Sequence, residues 1–196
     1  TEMKNKAVLI TTNEGTFMIE LFPEDAPNTV NNFLKLIESD YYDGVVFHRI
    51  IPNFMIQTGD PNTKGPNSDR NTWGQGGPGY TINEEFNTIQ HDRGIVSMAR
   101  SQHVDSAGSQ FFIVHKDNNQ LDGKYTVFGR LVPGLPNGLD EIANLPTNAD
   151  NQPIDASRAT IIKASVIDGF STANFAGPER NNSLVKKFKT DGGIVE

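Results

Sequence analysis

Cysteine is absent from the 196-residue chain, which removes disulfide staples, thiolate nucleophiles and Cys-ligated zinc together. Stability must come from packing. Long apolar runs are missing too. Stretches such as Ala7 to Ile10 near the start fall far short of a signal-peptide core or a membrane span, and the expected location is the cytoplasm. Thr1 stands where a Met would begin a chain, which leaves room for an upstream segment removed beforehand. Positive charge is in deficit, with 17 Lys and Arg against 24 Asp and Glu for a net charge of -7. That balance opposes phosphate-rich partners and anionic surfaces, so neither nucleic acid nor a membrane is expected as a partner. What is present suits one compact domain, because 36% hydrophobic residues and 12 Phe are enough to fill a core.

The chain opens with strand-like stretches at Lys6 to Thr12 and Thr16 to Phe22, joined by the turn-prone Asn13-Glu14-Gly15 as a hairpin. In the second stretch Phe17, Ile19 and Leu21 alternate with Thr16, Met18 and Glu20, which sends one face to the core and leaves the other mostly polar. From Asn28, the residues Val30, Phe33, Leu34 and Ile37 follow helical spacing, with Asn28 or Thr29 as cap and an end near Asp40. Val45 to Ile51 and Phe54 to Thr58 read as strands, and Gly59 to Gly79 as a long irregular loop. Further strands are expected at Ile95 to Ala99, Phe111 to Val114, Thr126 to Val132 and Thr160 to Ile167, with a short helix at Leu139 to Leu145. About eight strands and two helices, joined mostly by turns, predict an antiparallel β-barrel or sandwich. Composition changes after residue 170, so 170–196 reads as an appendage to a domain over 6–169, with 1–5 as a short extension. Lys186-Lys187-Phe188-Lys189 in that appendage reads as a solvated face, and Ser183 to Lys189 as one or two helical turns.

Several motifs fail on context. Gly74-Gln75-Gly76-Gly77-Pro78-Gly79 has dinucleotide-binding spacing, but Asn71-Thr72-Trp73 before it is no strand and Pro78 interrupts any helix after it. His48, His91, His103 and His115 are scattered without the i, i+4 pairing of metal ligands, so no metal is expected, and His48 is assigned to structure. Gly108-Ser109-Gln110 lacks the second glycine of a nucleophile elbow.

One constellation survives. Phe47-His48-Arg49-Ile50-Ile51-Pro52-Asn53-Phe54-Met55-Ile56-Gln57 and Gly108-Ser109-Gln110-Phe111-Phe112-Ile113-Val114 both set polar groups among large apolar ones. Strand alternation sends Phe47, Arg49 and Ile51 to one face, so Arg49 interrupts an apolar row and needs either solvent in a groove or a paired carboxylate. Together with Leu121-Asp122-Gly123-Lys124 and Val127-Phe128-Gly129, these segments resemble, in order and spacing, the cyclophilins, which are peptidyl-prolyl cis-trans isomerases. The resemblance runs from about Lys6 to Gly169. It implies a mainly β fold, an eight-stranded antiparallel barrel capped by two α-helices, and a monomer that needs no cofactor.

The resemblance further implies that Arg49 is the principal catalytic residue, anchored by Gln57, and that Phe54, Met55, Phe112 and Leu121 line a pocket for the substrate proline. Gln57 and Gln110 would position the peptide, Ala99 and the backbone of Arg100 would bind the residue before proline, and Tyr125 would close one side. Partners would be proline-containing peptides and unfolded or folding proteins. Where many members have Asn, His, Trp and Gly, this chain has Arg100, Tyr125, Gln120 and Thr58, and the Gln120 change weakens expected cyclosporin binding. The chemistry suits these residue types. A twisted amide regains a nitrogen lone pair, which a guanidinium N–H can meet at any ordinary pH. The competing reading is a proline-recognising binding module or holdase that grips such segments without accelerating rotation.

Overall fold

The computed structural model describes residues 3–184. Thr1 and the Lys186 to Lys189 run lie outside the described residues, as does most of the helical segment expected from Ser183. The first hairpin forms as its pattern dictates: β1 (Lys6–Thr12) and β2 (Gly15–Leu21) pair antiparallel around Asn13-Glu14, with Thr12 opposite Gly15. Phe17, Ile19 and Leu21 enter the core as the alternation requires. Glu20 departs from the expected polar face and is buried, because Arg130 lies directly opposite it and closes an ion pair at 2.7 Å.

Helix α1 (Pro27–Glu38) buries Val30, Phe33, Leu34 and Ile37. Neither Asn28 nor Thr29 caps it. The helix starts after Ala26 with Pro27 in its first turn, where a missing N–H costs nothing. The free amides of Asn28 and Thr29 donate to the Glu85 carboxylate at 3.2 and 2.6 Å, so an anion from a distant segment does the work of a local cap.

The remaining elements are β3 (Arg49–Ile51), β4 (Met55–Thr58), β5 (Ile95–Met98), β6 (Phe111–Val114), β7 (Val127–Leu131), α2 (Leu139–Ala143) and β8 (Ile161–Asp168). All strand pairs are antiparallel, and they form one eight-stranded sheet in the order β3-β4-β6-β5-β7-β2-β1-β8. The sheet curls strongly on itself, and its two outer strands approach where Val46, just before β3, bridges Thr160, just before β8. That bridge explains why β3 is shorter than the expected Val45 to Ile51 strand. Val46 pairs across the opening, Phe47 donates to the Ala159 carbonyl at 2.8 Å, and both side chains enter the core beside Ile50. Strict alternation therefore does not hold there. Phe47 is buried and Arg49 is exposed.

Two apolar clusters fill the molecule. The larger packs α1 and α2 against β1, β2 and β8, with Phe33 touching Tyr42, Phe111 and Phe128 ring to ring. The smaller contains Met55, Ile89, Ile95, Phe112, Val114 and Val127. Gly59 to Gly79 is irregular apart from 3-10 turns at Pro61–Thr63 and Arg70–Thr72. Beyond Gly169 the chain folds back on the sheet. Asn181 N–H donates to the Thr88 carbonyl at 2.7 Å, Gln90 N–H donates to the Glu179 carbonyl at 2.9 Å, and Arg180 pairs with Asp25 at 2.6 Å.

Candidate active site

The smaller cluster reaches the surface in a cavity of about 310 Å³. Its lining includes Arg49, Phe54, Met55, Gln57, Ala99, Arg100, Phe112, Leu121 and Tyr125, which is every expected site residue except Gln110. Period-two geometry brings most of them together. Arg49 on β3 faces Gln57 on β4, and Gln57 in turn faces Phe112 on β6. Leu121 ends a 3-10 turn over Asn119–Leu121, started by the Asn118 side chain accepting from the Gln120 amide. Gln120 beside it is exposed.

The floor is apolar and fixed. Met55 and Phe112 are buried, Phe54, Leu121 and Tyr125 are half-buried, and Tyr125 meets Phe112 edge to face at 5.7 Å. Below them His91 stacks on Phe112 at 6.0 Å. Its backbone and side chain both reach Asp122, at 2.7 and 3.0 Å, and its other ring nitrogen meets the Ser97 hydroxyl at 2.9 Å. Burial holds the His91 pKa below the ordinary histidine value, against the pull of Asp122. Ser97 then donates to Nε2, and the phenyl ring rests on a neutral imidazole locked at both nitrogens.

Arg49 stands at the mouth. It is exposed, its guanidinium lies 6.0 Å above the Phe54 ring, and no carboxylate among the described residues pairs with it. Solvent thus resolves the charge that interrupted the apolar row. The expected anchor is corrected. The Gln57 amide donates to Gln110 Oε1 at 3.0 Å, and no hydrogen bond joins Gln57 to Arg49 among the described residues.

Gln110 is itself held in place. Its Nε2 donates to the carbonyls of Gly74 and Gly76 at 3.0 and 2.8 Å, which commits the side chain to holding the glycine loop. That loop has neither a strand before it nor a helix after it, and the Gly74 amide caps the buried carboxylate of Asp60. Gly59 at its base has φ +98° and lies so close to the segment leading into β6 that a Cβ would sit 2.3 Å from the Ser109 carbonyl oxygen. Thr58, set where a glycine is frequent, is fully buried and donates to the Val46 carbonyl at 3.0 Å.

Sequence reasoning missed four lining residues: His48, Trp73, Gly74 and Asp150. His48 is buried with Nδ1 unpartnered among the described residues, and burial lowers its pKa. Trp73 is the chain's single tryptophan, which was the available signal. The Arg70 guanidinium holds it by stacking at 4.5 Å while donating to the Pro153 and Ile154 carbonyls. Among the described residues no group of three His, Asp or Glu is arranged to hold a metal ion.

A cavity with an apolar floor and a polar rim, with the unpaired guanidinium of Arg49 at its lip, suits recognition and electrostatic stabilisation better than bond cleavage. The family model described as cyclophilin type peptidyl-prolyl cis-trans isomerase/CLD matches residues 7–166. Peptidyl-prolyl cis-trans isomerase-like 2 of Gibberella zeae is 41% identical over 177 residues, 90% of this chain, and the chain spans 29% of that relative. Peptidyl-prolyl cis-trans isomerase-like 1 of Aspergillus fumigatus is 39% identical over 82% of this chain and 95% of its own length. The crystal structure of a Cryptosporidium parvum cyclophilin type isomerase, in the presence of the dipeptide Ala-Pro, superposes with a TM-score of 0.73 at 35% identity. It covers 83% of this chain and 99% of that one. The curled eight-stranded sheet, the slot and the agreement along nearly the whole domain place this chain in the cyclophilin-type peptidyl-prolyl cis-trans isomerase family.

Proposed function

We propose that the cavity holds the pyrrolidine ring of an X-Pro segment and that Arg49 stabilises the amide as it twists, with no covalent intermediate. The substrates are exposed proline segments of unfolded or folding proteins, and the consequence is assistance to folding. The observation that carries this reading is the unpaired guanidinium of Arg49 at the lip of an apolar slot of about 310 Å³. A cation in an ion pair could not turn to meet a developing lone pair without first losing its partner.

The resonance barrier of about 18 to 20 kcal/mol falls only if the twisted state is bound better than either planar state. Burying the ring in Met55, Phe112 and Leu121 is worth roughly 1.5 to 3 kcal/mol and holds it equally in all states. The N–H donor on the prolyl nitrogen is the term specific to the transition state. The residue before proline lies along Ala99 and the backbone of Arg100. There, among the described residues, the Ala99 carbonyl and the Arg100 N–H have no hydrogen-bond partner. Gln57 keeps its Oε1 free of partners in the same set and faces the peptide, while Gln110 steadies Gln57 and the glycine loop.

Arg49→Ala should lower the isomerisation rate constant on a proline peptide by at least about tenfold, with an unchanged circular dichroism spectrum and peptide affinity. An unchanged rate in an NMR exchange assay overturns the role. Peptide binding by the wild-type chain without any acceleration would instead identify a binding module or holdase.

A further inference from the structure

A second groove of about 340 Å³ adjoins the proline slot and shares Gln57, Gly74, Ala99 and Arg100 with it. Its wall is otherwise formed by neutral residues, so Arg100 is the one charged residue lining it. The proline slot itself has two guanidiniums, Arg49 and Arg100, against the single carboxylate of Asp150. In a protein of net charge -7, cations thus outnumber carboxylates among the residues lining these two grooves.

The Arg100 guanidinium is fixed in place. Nε donates to the Lys124 carbonyl at 2.9 Å, and Nη1 donates to the Ser101 and Gln102 carbonyls at 3.0 and 3.2 Å. Its plane lies 4.9 Å from the Tyr125 ring and 5.8 Å from the Phe86 ring. No carboxylate among the described residues neutralises it. Glu84 and Asp105, on the flanking segments, accept instead from the backbone amides of Phe86 and Glu84. Nη2 has no partner among the described residues. The entropy of ordering the side chain is already lost before a ligand arrives, so an incoming carboxylate meets a preorganised donor at little further cost.

We propose that Arg100 makes this site select X-Pro segments with an aspartate or glutamate among the two residues preceding the proline. The assignment rests on the reading above, in which those residues cross Ala99 and Arg100 toward the second groove. It concerns the choice of substrate and not the rotation step. Lysine at those positions meets like charge and is disfavoured.

The test uses the full chain and two peptide series, Xaa-Ala-Pro-Phe and Ala-Xaa-Pro-Phe, with Xaa as Glu, Gln or Lys, read as kcat/KM by NMR exchange. In at least one series Glu should exceed Lys by about tenfold in low salt, and the ratio should shrink toward one in molar salt. Arg100→Gln should bring the ratio near one whatever its effect on overall rate, and Arg100→Lys should keep part of it. Equal rates across both series, or a ratio that survives in Arg100→Gln, overturns the proposal while leaving the isomerase reading intact. Failure to accelerate any peptide would instead sink the proposed function.

Discussion

Burial of neutral histidines gives the site residues a pH dependence of known sign. His91 under Phe112 and His48 beside the slot both have pKa values lowered chiefly by burial, with Asp122 and Asp60 pulling the other way. In the unfolded chain each titrates near about 6.5. Above that value neither state binds the proton and their contribution is whole. As pH falls below it, the unfolded chain takes up protons that the folded chain refuses, at up to about 1.4 kcal/mol per pH unit for each histidine. The loss continues until the folded imidazoles titrate too. Urea unfolding at pH 7.5 and 5.5 should therefore show lower stability at the acid end, with a smaller difference in His91→Gln. A flat or opposite dependence would mean that these rings are not held neutral. At this scale the sequence was only half legible. Arg49, Phe54, Met55, Phe112 and Leu121 could be found because they sit in contiguous runs of unusual character. Trp73 and Asp150 could not, because they come from loops without periodicity and reach the slot only through tertiary ties such as Arg70.

Among the elements, the β3–β4 hairpin carries the most responsibility, with Arg49 on one strand and Met55 and Gln57 on the other. Its turn is built on Asn53 at φ +63° and is clasped from β6. His115 N–H donates to the Phe54 carbonyl at 2.8 Å, and His115 Nδ1 accepts from the Asn53 N–H at 2.8 Å. With Nδ1 as acceptor, Nε2 carries the hydrogen and donates to Asp140 at 2.8 Å, so α2 steadies the hairpin through one imidazole. A left-handed residue with a branched Cβ is strained by about 1 to 2 kcal/mol. Asn53→Val should lose roughly that much stability in denaturant unfolding and slow isomerisation, while Asn53→Gly should stay close to the parent. Equal behaviour of the two variants would show that the turn tolerates any residue. Strands and helices were readable from alternation and helical spacing. The α1 cap was not, since Glu85 approaches from a segment far along the chain, and the length of β3 was set by the Val46 to Thr160 bridge instead of by its own residues.

For the whole molecule, two ion pairs contrast in what they hold. Glu20 and Arg130 face each other across β2 and β7 with side chains 8% and 13% exposed, and Arg130 also donates to the Ala176 carbonyl of the returning C-terminal segment. Arg180 and Asp25 tie that same segment to the start of α1 at the surface. Removing one member of a buried pair strands the other charge and costs about 3 to 5 kcal/mol, whereas an exposed pair is worth about 0.2 to 1 kcal/mol. Glu20→Ala should thus lower the unfolding midpoint far more than Arg180→Ala. Comparable shifts would refute the view that the β2–β7 seam bears the load. The burial of Glu20 was invisible in its local alternation because its partner lies 110 residues later.

Trp73 leaves the molecule with a built-in optical reporter. It is the only indole in the chain, and it stands against the slot with a guanidinium on its face. Indole emission from this protein therefore originates beside the place where a proline segment would dock, so occupancy can be followed by tryptophan fluorescence without attaching a dye.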